Sequence, residues 1–429
     1  MIQRMKPLIR TVHLWAGLIF GTILVLQGLT GTVIGWRHEL DAWLNPGLLQ
    51  VAPPVGAVAG AQARPTPAQV AAVAARLAND QRYGRPDTLF LPEVHGDVYV
   101  AWYRPEKPSS NWTQGVTRQV MVDPGSLAVL GERNWGEAGL SRPLLMPTLF
   151  HLHRYLMLGD AGKLVIAVQG LALVLLTLTG IVVWWPTLTL SAFWHAITVR
   201  RGANWPKFSF QLHRAAGFYV APVLLVLGFS GVYFNMPDWV TPAIRAAAPL
   251  TKHDKLVNAS PQDAPRIDAG AAMAAAQARY PEGRVSRIGM PAKPEQPYEV
   301  RVRQPGELRR GPGATRVSVD AGSGAVLRAI DPLAARGGDW LVGTLYPLHT
   351  GEAFGAAGRI LVSVVGLSPL LFFITGLVVW IKFRRKPAKR KRPAVAVAAA
   401  AGKRPAPRAP QPALGADGAG GLDDRVERA

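Results

Sequence analysis

The sequence predicts a membrane protein made of two parallel repeats, each with a transmembrane helix, a small α+β domain outside the membrane and a second transmembrane helix. Three observations carry this prediction. The chain has four long uncharged apolar segments, its basic residues are concentrated on alternate connections, and histidines, glycines and short motifs recur after 196 to 200 residues. Recurrence at a fixed offset is typical of a duplicated structural unit.

The four apolar segments contain 22 or 23 residues each and carry no Asp, Glu, Lys or Arg. About 20 helical residues, each rising about 1.5 Å, cross the hydrocarbon core of a bilayer. The predicted transmembrane helices are residues 14–36, 164–185, 215–236 and 360–381. The first segment is too long for a signal-peptide core and has no evident cleavage site, so we expect it to remain as an anchor.

The distribution of basic residues predicts the orientation. Residues 1–13 and the connection 186–214 contain basic residues and no acid, and the stretch KFRRKPAKRKR opens residues 382–429. By the positive-inside rule, these three segments face the cytoplasm, so the connections 37–163 and 237–359 lie outside. The low-complexity sequence of the C-terminal segment predicts a disordered tail.

Composition limits the chemistry. A net charge of +21 suits either a nucleic-acid-binding protein or a membrane protein, and the apolar segments favour membrane lipid over nucleic acid as the partner. The chain has no cysteine, which excludes disulfides, thiolate metal sites and iron–sulfur clusters.

The two halves of the chain repeat each other. An offset of 200 residues places His13 on His213, and an offset of 196 places His153 on His349. Glycines near these histidines and the motifs TGIVVWW and TGLVVW recur at the same offsets. The segments VDPGSLAVL (122–130) and VDAGSGAVL (319–327) agree at seven of nine positions, and each predicts a β-hairpin.

Each outer connection predicts a helix followed by strands. In the first, Thr66 is the expected N-cap and Pro67 the first residue of a helix over TPAQVAAVAARLANDQR. The strands DTLFLP and DVYVAWYR then precede the hairpin. The second connection predicts a helix near DAGAAMAAAQARY and strands at RVSRIGMP and YEVRVRQ.

Four of the nine histidines occupy matched positions. Because each repeat has an even number of spans, both insert in the same direction, and the pseudo-twofold axis runs along the membrane normal. We therefore expect His13 to face His213 near the cytoplasmic surface and His153 to face His349 near the outer surface. His38, His95, His195 and His253 have no matched partner and are expected to be ordinary interfacial residues.

A glycine stripe lies on the His13 face of the first helix, with counterparts beneath His213. The residues of the two stripes are Gly17, Gly21, Gly28 and Gly31, and Gly217, Ala221, Gly228 and Gly231. For glycines alone, close helix packing is the commoner explanation. The histidines favour a ligand slot, because an ionisable group at membrane depth usually marks a site. Haem held by two axial imidazoles fits such a slot best; zinc normally needs three protein ligands, and pH sensing leaves the glycines unexplained.

Other candidate site residues adjoin the proposed ligands. His151 is two residues from His153 and could replace it, although the repeat favours His153. Arg154 and Arg214 directly follow proposed ligands and could hold haem propionates, or could simply set the topology, which is our interpretation of Arg37.

The chain resembles the PepSY-associated transmembrane family over about residues 5–385. The resemblance rests on HLWAG and HRAAG, LHRYLMLGDAGK and LHTGEAFGAAGR, TGIVVWW and TGLVVW, and a PepSY-like domain in each outer connection. It implies a bacterial inner-membrane protein with two b-type haems, whose axial ligands map onto His13, His213, His153 and His349. The best understood members are dihaem reductases of ferric siderophores. The implied activity passes electrons outward to an Fe(III) chelate, with a quinol or a separate reductase as donor.

Two other functions remain open at this level. The outer domains could bind a partner or inhibit a peptidase while the membrane helices serve as an anchor, but an anchor has no use for duplicated histidines. Transport of a metal or siderophore is less attractive, because the four predicted helices offer no charged pathway. The outer connections also lack a siderophore pocket recognisable from sequence.

Overall fold

The computed structural model describes residues 2–105, 116–186, 189–200, 202–261 and 263–384. Among these, four helical segments are long and apolar enough to cross a membrane: Met5–Ile34, Gly159–Trp184, Trp205–Asn235 and Glu352–Lys382. The prediction of four transmembrane helices is confirmed. The predicted C-terminal tail beyond residue 384 lies outside the described residues.

The first repeat runs from the N-terminus to the second membrane helix. Its elements are α1 (Ile2–Ile34), α2 (Arg37–Leu44), α3 (Pro46–Leu49), α4 (Pro67–Ala78), β1 (Thr88–Phe90), β2 (Tyr99–Tyr103), β3 (Thr117–Val122), β4 (Val129–Trp135), α5 (Arg142–Tyr155) and α6 (Gly159–Trp184). The Thr66 side chain and the Gln69 side chain form the reciprocal bonds of a capping box, so α4 begins where the sequence predicts.

The second repeat follows a short connecting helix, α7 (Leu190–Ile197), and has the same general plan. Its elements are α8 (Trp205–Asn235), α9 (Pro237–Ala247), α10 (Ala269–Arg279), β5 (Arg284–Gly289), β6 (Tyr298–Arg303), β7 (Thr315–Val319), β8 (Val326–Ile330), α11 (Gly337–Thr350), α12 (Gly355–Gly366) and α13 (Ser368–Arg384). It differs in having one short helix, α9, before α10 and a last membrane span made of two helices, α12 and α13. The predicted TM–(α+β)–TM repeats are therefore present.

The α+β parts of the two repeats share one eight-stranded antiparallel sheet, in the order β4-β3-β2-β1-β5-β6-β7-β8. The repeats join where β1 pairs with β5, with Leu89 opposite Ile288. Both residues are fully buried beneath α4 and α10. Edge-to-edge pairing satisfies the backbone groups that each four-stranded unit would expose alone, so the sheet fixes the two repeats to each other.

The helices that follow the sheet end before the membrane helices begin. α5 ends at Tyr155, where Leu156 and Met157 adopt positive φ angles of 55° and 57°, and α6 starts at Gly159. In the second repeat, α11 ends at Thr350 and is followed by Gly351, which has a φ of 78° and lies against Gly358. His153 and His349 therefore lie in the last turns of short helices that connect the sheet to the membrane helices.

Paired glycines bring the membrane helices of different repeats into close contact. A Cβ atom added to Gly28 on α1 would lie 2.2 Å from the carbonyl oxygen of Gly366 on α12. In the repeat-related pair, a Cβ atom added to Gly170 on α6 would lie 3.0 Å from the carbonyl oxygen of Gly228 on α8. A Cβ atom added to Gly228 would lie 3.1 Å from the carbonyl oxygen of Gly170. Small residues permit this backbone approach, and van der Waals contact then stabilises the helix pair within lipid.

Candidate functional site

The four repeat-matched histidines form two facing pairs between the repeats. The ring centres of His13 and His213 are 6.3 Å apart, with an interplanar angle of 79°. Those of His153 and His349 are 6.4 Å apart, at 70°. The structure thus brings together the residues that the repeat places on opposite sides of the pseudo-twofold axis.

The two pairs lie at different depths. His13 is in the first half of α1, whereas His153 contacts Thr30 near the other end of that helix. The separation of 17 residues from His13 to Thr30 corresponds to roughly 25 Å at about 1.5 Å per residue. One pair therefore lies toward the side of the membrane where the chain begins, and the other lies toward the sheet.

Each histidine is oriented by a hydroxyl group on a helix of the same repeat. Nδ1 of His13 lies 3.0 Å from Oγ1 of Thr179, and Nδ1 of His213 lies 2.9 Å from Oγ1 of Thr375. At the other level, Nδ1 of His153 lies 3.1 Å from Oγ1 of Thr30. Nδ1 of His349 lies 2.7 Å from Oγ of Ser230. The hydroxyl residues are repeat-related as well: Thr30 corresponds to Ser230, and Thr179 to Thr375.

The direction of these hydrogen bonds defines the histidine tautomer. Each hydroxyl lies close to the carbonyl oxygen four residues earlier, at 2.7 Å for Thr30, 2.6 Å for Thr179 and 2.7 Å for Thr375; Ser230 has the same contact at 2.5 Å. A hydroxyl has one proton, and a carbonyl can only accept. The hydroxyl therefore accepts from the histidine, so Nδ1 carries the proton.

A second contact supports this tautomer at His153. Its Nδ1 also lies 3.1 Å from the carbonyl oxygen of Gln27, which is an obligatory acceptor. With Nδ1 protonated in all four rings, each Nε2 keeps a free lone pair. No described residue forms a hydrogen bond with any of these four Nε2 atoms.

The spacing of each pair fits two imidazoles that share one iron. A metal–imidazole bond is about 2.0 Å long, and the ring centre lies roughly 1.1 Å beyond Nε2, so two axial ligands have centres about 6.2 Å apart. The observed distances of 6.3 and 6.4 Å agree with this value. Hydrogen bonding through the second ring nitrogen is also the usual way in which a metal-binding histidine is oriented. The residues present therefore fit bis-histidine haem ligation.

The histidines on the sheet side are held in the neutral form that coordinates metals. Burial lowers the pKa of His153 to about 4. Burial, followed by the proximity of His153, lowers the pKa of His349 to about 3. Neither ring carries a charge at neutral pH, so both can offer a lone pair to a metal.

The glycine stripes serve two purposes. Gly28 and Gly228 occupy helix contacts, in agreement with the packing explanation. By contrast, no atom lies within 4 Å of a Cβ added to Gly217 or Gly231. Gly31 directly faces His153, whose Cε1 would lie 2.8 Å from a Cβ at that position. Some glycines of the stripes therefore border open space, and others are required for contact between helices.

His151 lies outside both pairs. Its Nδ1 is hydrogen-bonded to the Tyr155 hydroxyl, and its ring packs against Trp135 and Phe150. The side chain is buried, at 2% exposure, and Nε2 has no partner among the described residues. The structure places His153, and not His151, opposite His349.

The arginines next to the predicted ligands have different surroundings. Arg214 donates to the carbonyl oxygen of His195, and its Nε is buried without a partner among the described residues. Burial lowers the pKa of Arg154. Arg37 lies over the rings of Trp135 and Phe150, at 5.5 and 4.8 Å, so it contributes to packing between α2, β4 and α5. The role of Arg154 and Arg214 toward haem propionates stays a prediction.

The four hydroxyl partners are the part of the site that the sequence interpretation missed. Thr179 and Thr375 coincide in the repeat alignment, and Thr30 aligns with Ser230. A repeat-matched hydroxyl on a membrane helix is the signal that could have identified them.

These features define a duplicated four-span membrane protein with one eight-stranded sheet shared by its repeats and two histidine pairs between them. The sequence matches the family described as the PepSY-associated TM region over residues 10–382, and the chain belongs to that family. No curated protein matches the sequence.

Proposed function

We propose that this protein binds two b-type haems and passes electrons across the inner membrane of a bacterium to an external Fe(III) chelate. The observation that supports it best is the duplicated geometry: two cross-repeat histidine pairs with ring centres 6.3 and 6.4 Å apart. A membrane anchor for a partner-binding or peptidase-inhibiting domain needs neither pair.

In this proposal the chain supplies ligands, orientation and insulation. His13 and His213 would hold one iron, and His153 and His349 would hold the other. Their hydroxyl partners keep Nδ1 protonated and direct Nε2 toward the metal. Bound haem supplies reversible one-electron chemistry between Fe(III) and Fe(II). The apolar helices around each pair keep water away from the cofactor.

The direction of transfer follows from the proposed topology. The basic termini and the connection 186–214 face the cytoplasm, so the sheet and the pair formed by His153 and His349 lie on the outer side. Electrons enter at the pair formed by His13 and His213, from a quinol or from a separate reductase. They leave beside the sheet, where a ferric siderophore or related chelate accepts one electron, and Fe(III) becomes Fe(II).

The first test is the absorption spectrum of the purified full-length protein. The wild-type protein, expressed with haem available, should show a reduced-minus-oxidised haem spectrum and about two haems per chain. Replacing His13 or His349 with alanine should each remove about one haem. His38→Ala is the matched control, because His38 is exposed and lies outside both pairs; it should keep the wild-type haem content.

Three results distinguish the functions. Wild-type haem content with loss at both ligand variants supports the proposal. A colourless wild-type protein would contradict it and favour the anchor function. Haem that persists in both alanine variants would show that other residues ligate it.

A further inference from the structure

Three arginines form a continuous row across the second half of the sheet. Arg287 on β5 pairs directly with Arg301 on β6, and Arg301 pairs directly with Arg316 on β7. Directly opposed residues in an antiparallel sheet point to the same face, with Cβ atoms about 5 Å apart. Like charges at this spacing repel, so the row destabilises the free protein unless an anion compensates it.

The arginine row lies on the sheet face opposite α4 and α10. The flanking residues Ile288, Val300 and Val317 are fully buried on the helix-covered face. Because side chains alternate along a strand, the arginines point the other way. Phe90 pairs with Arg287 on that face, and the guanidinium lies over its ring at 5.5 Å.

A fourth arginine, Arg309, lies between the row and the outer histidine pair in a series of contacts and charge interactions. Arg309, in the loop between β6 and β7, lies 4.1 Å from the ring centre of Tyr346 on α11. Tyr346 contacts Phe234, which contacts His349 at 5.4 Å between ring centres. The guanidinium of Arg309 also acts electrostatically on all three arginines of the row.

The first repeat provides an internal comparison, because its strands place different residues at the corresponding positions. Trp102 on β2 occupies the position of Arg301, and its two partners on the neighbouring strands are Thr88 and Gln119. These partners correspond to Arg287 and Arg316, so none of the three positions carries an arginine in the first repeat. On that half of the face, Arg133 forms a buried ion pair with Asp41, 2.7 Å long. The two halves of the sheet therefore differ at this face, and the row of three arginines is present in the second half alone.

The described residues offset the charge of the row only in part, through Glu299. No ion pair or hydrogen bond joins the guanidinium groups of Arg287, Arg301 and Arg316 to another described residue. The one acid that the ladder places beside them is Glu299, which is exposed and accepts a hydrogen bond from Ser318. Its charge favours all three arginines, but one carboxylate faces three guanidinium groups, so positive charge remains in excess. Nε of Arg309 is buried and has no partner in the described part of the chain.

Burial increases the electrostatic cost of this arrangement. Burial, followed by the charges of neighbouring arginines, lowers the pKa of Arg287 to about 10 and that of Arg301 to about 9. Both groups nevertheless remain charged at neutral pH. Guanidinium groups in this situation bind carboxylates well, because their planar donors match two carboxylate oxygens.

We propose that Arg287, Arg301 and Arg316, with Arg309 at the side facing α11, bind the carboxylate groups of an anionic Fe(III) chelate. The identification of this anion as the electron acceptor rests on the proposed function; the anion site itself does not. Carboxylate-rich, negatively charged chelates are the substrate class, and positively charged chelates are disfavoured by the same row.

The test is equilibrium binding of Ga(III)–citrate, a redox-inert carboxylate chelate, to the purified full-length protein by titration calorimetry. Arg301→Gln should weaken binding about tenfold, because one charge-assisted contact is lost. Arg301→Lys should recover part of that loss, since it restores the charge without the planar donor pair. Arg279→Gln is the matched control: Arg279 is exposed on α10, over the other sheet face, and its loss should not change the affinity.

Selectivity and haem content complete the test. A positively charged Ga(III) complex of an amine-bearing trihydroxamate should bind at least tenfold more weakly than Ga(III)–citrate, and added salt should reduce the difference. Equal affinity for both complexes, or wild-type affinity in Arg301→Gln, would overturn the proposal. The proposal would also be overturned if the wild-type protein bound no Ga(III)–citrate and Arg301→Gln lost haem absorbance. The arginines would then hold haem propionates. If a haem-free wild-type protein binds Ga(III)–citrate, the anion site stands and the proposed electron transfer fails.

Discussion

The hydroxyl groups behind the histidines are the most specific test of the ligand geometry. Thr179→Val keeps the branched shape of the side chain and removes only the oxygen that lies 3.0 Å from Nδ1 of His13. The N–H of His13 then loses its acceptor, and leaving a buried donor unpaired costs about 1–3 kcal/mol. Loss of such an outer hydrogen bond typically lowers metal affinity 10- to 100-fold, or about 1.4–2.8 kcal/mol.

The assay is haem titration of the apoprotein together with a potentiometric titration of the loaded protein. Thr179→Val should bind haem at the His13–His213 site about 10- to 100-fold more weakly and shift its reduction potential, without affecting the other site. Thr375→Val should have the same effect through His213, from which it is 2.9 Å away. The control is Thr177→Val, because Thr177 is on the same helix and makes the same hydroxyl–carbonyl contact, with Leu173 at 2.7 Å. Unchanged affinity and potential in both test variants would refute the assigned tautomer.

Two further predictions concern the scaffold, and both are read as thermal unfolding of the purified protein. Gly28→Ala should destabilise the protein by about 1–3 kcal/mol, because the new Cβ would meet the Gly366 carbonyl oxygen at 2.2 Å; Gly343→Ala, in an open helical position, should not destabilise it. Arg133→Met should cost about 3–5 kcal/mol by leaving Asp41 buried without its partner. The exposed pair of Arg118 with Glu132 provides the comparison, and Arg118→Met should cost no more than about 1 kcal/mol.

The features that the sequence predicted well are those that repeat. The number of spans and both hairpins depend on local residue patterns, which duplication displays twice. The start of α4 follows from the local pattern of Thr66 as N-cap and Pro67 as first residue. The facing histidines depend on symmetry: two segments with matching sequence motifs that insert in the same direction are expected to place equivalent residues at equal depth.

The junction between the two four-stranded halves of the sheet could not be predicted from the same patterns. The residues of β1 and of β5 predict ordinary strands. They do not indicate that each of these strands pairs, along one edge, with a strand of the other repeat. The pairing of Leu89 with Ile288 follows from the position of the twofold axis, which is a property of the folded molecule. The glycine stripe was ambiguous for a similar reason, because a missing side chain permits either helix contact or open space.

The helix ends next to His153 and His349 were also beyond the sequence pattern. Both motifs contain glycines that suit either a membrane helix with small residues or a break. The structure resolves the ambiguity through positive φ angles at Leu156 and Met157 and at Gly351. These turns let α5 and α11 project from the sheet, so the sheet sets the position of the outer pair.

Symmetry is retained and lost at different places in this molecule, and the difference has a physical explanation. The histidines and their hydroxyl partners match across the repeats because, in the proposed function, one iron needs two equivalent axial ligands at each level. The sheet face opposite α4 and α10 has no such requirement. A soluble ligand that approaches one half of this face would gain nothing from a second copy, so the first half can hold the neutral Asp41–Arg133 pair while the second presents the row from Arg287 to Arg316. The asymmetry therefore separates the part of the protein that holds a cofactor from the part that we propose to select its partner.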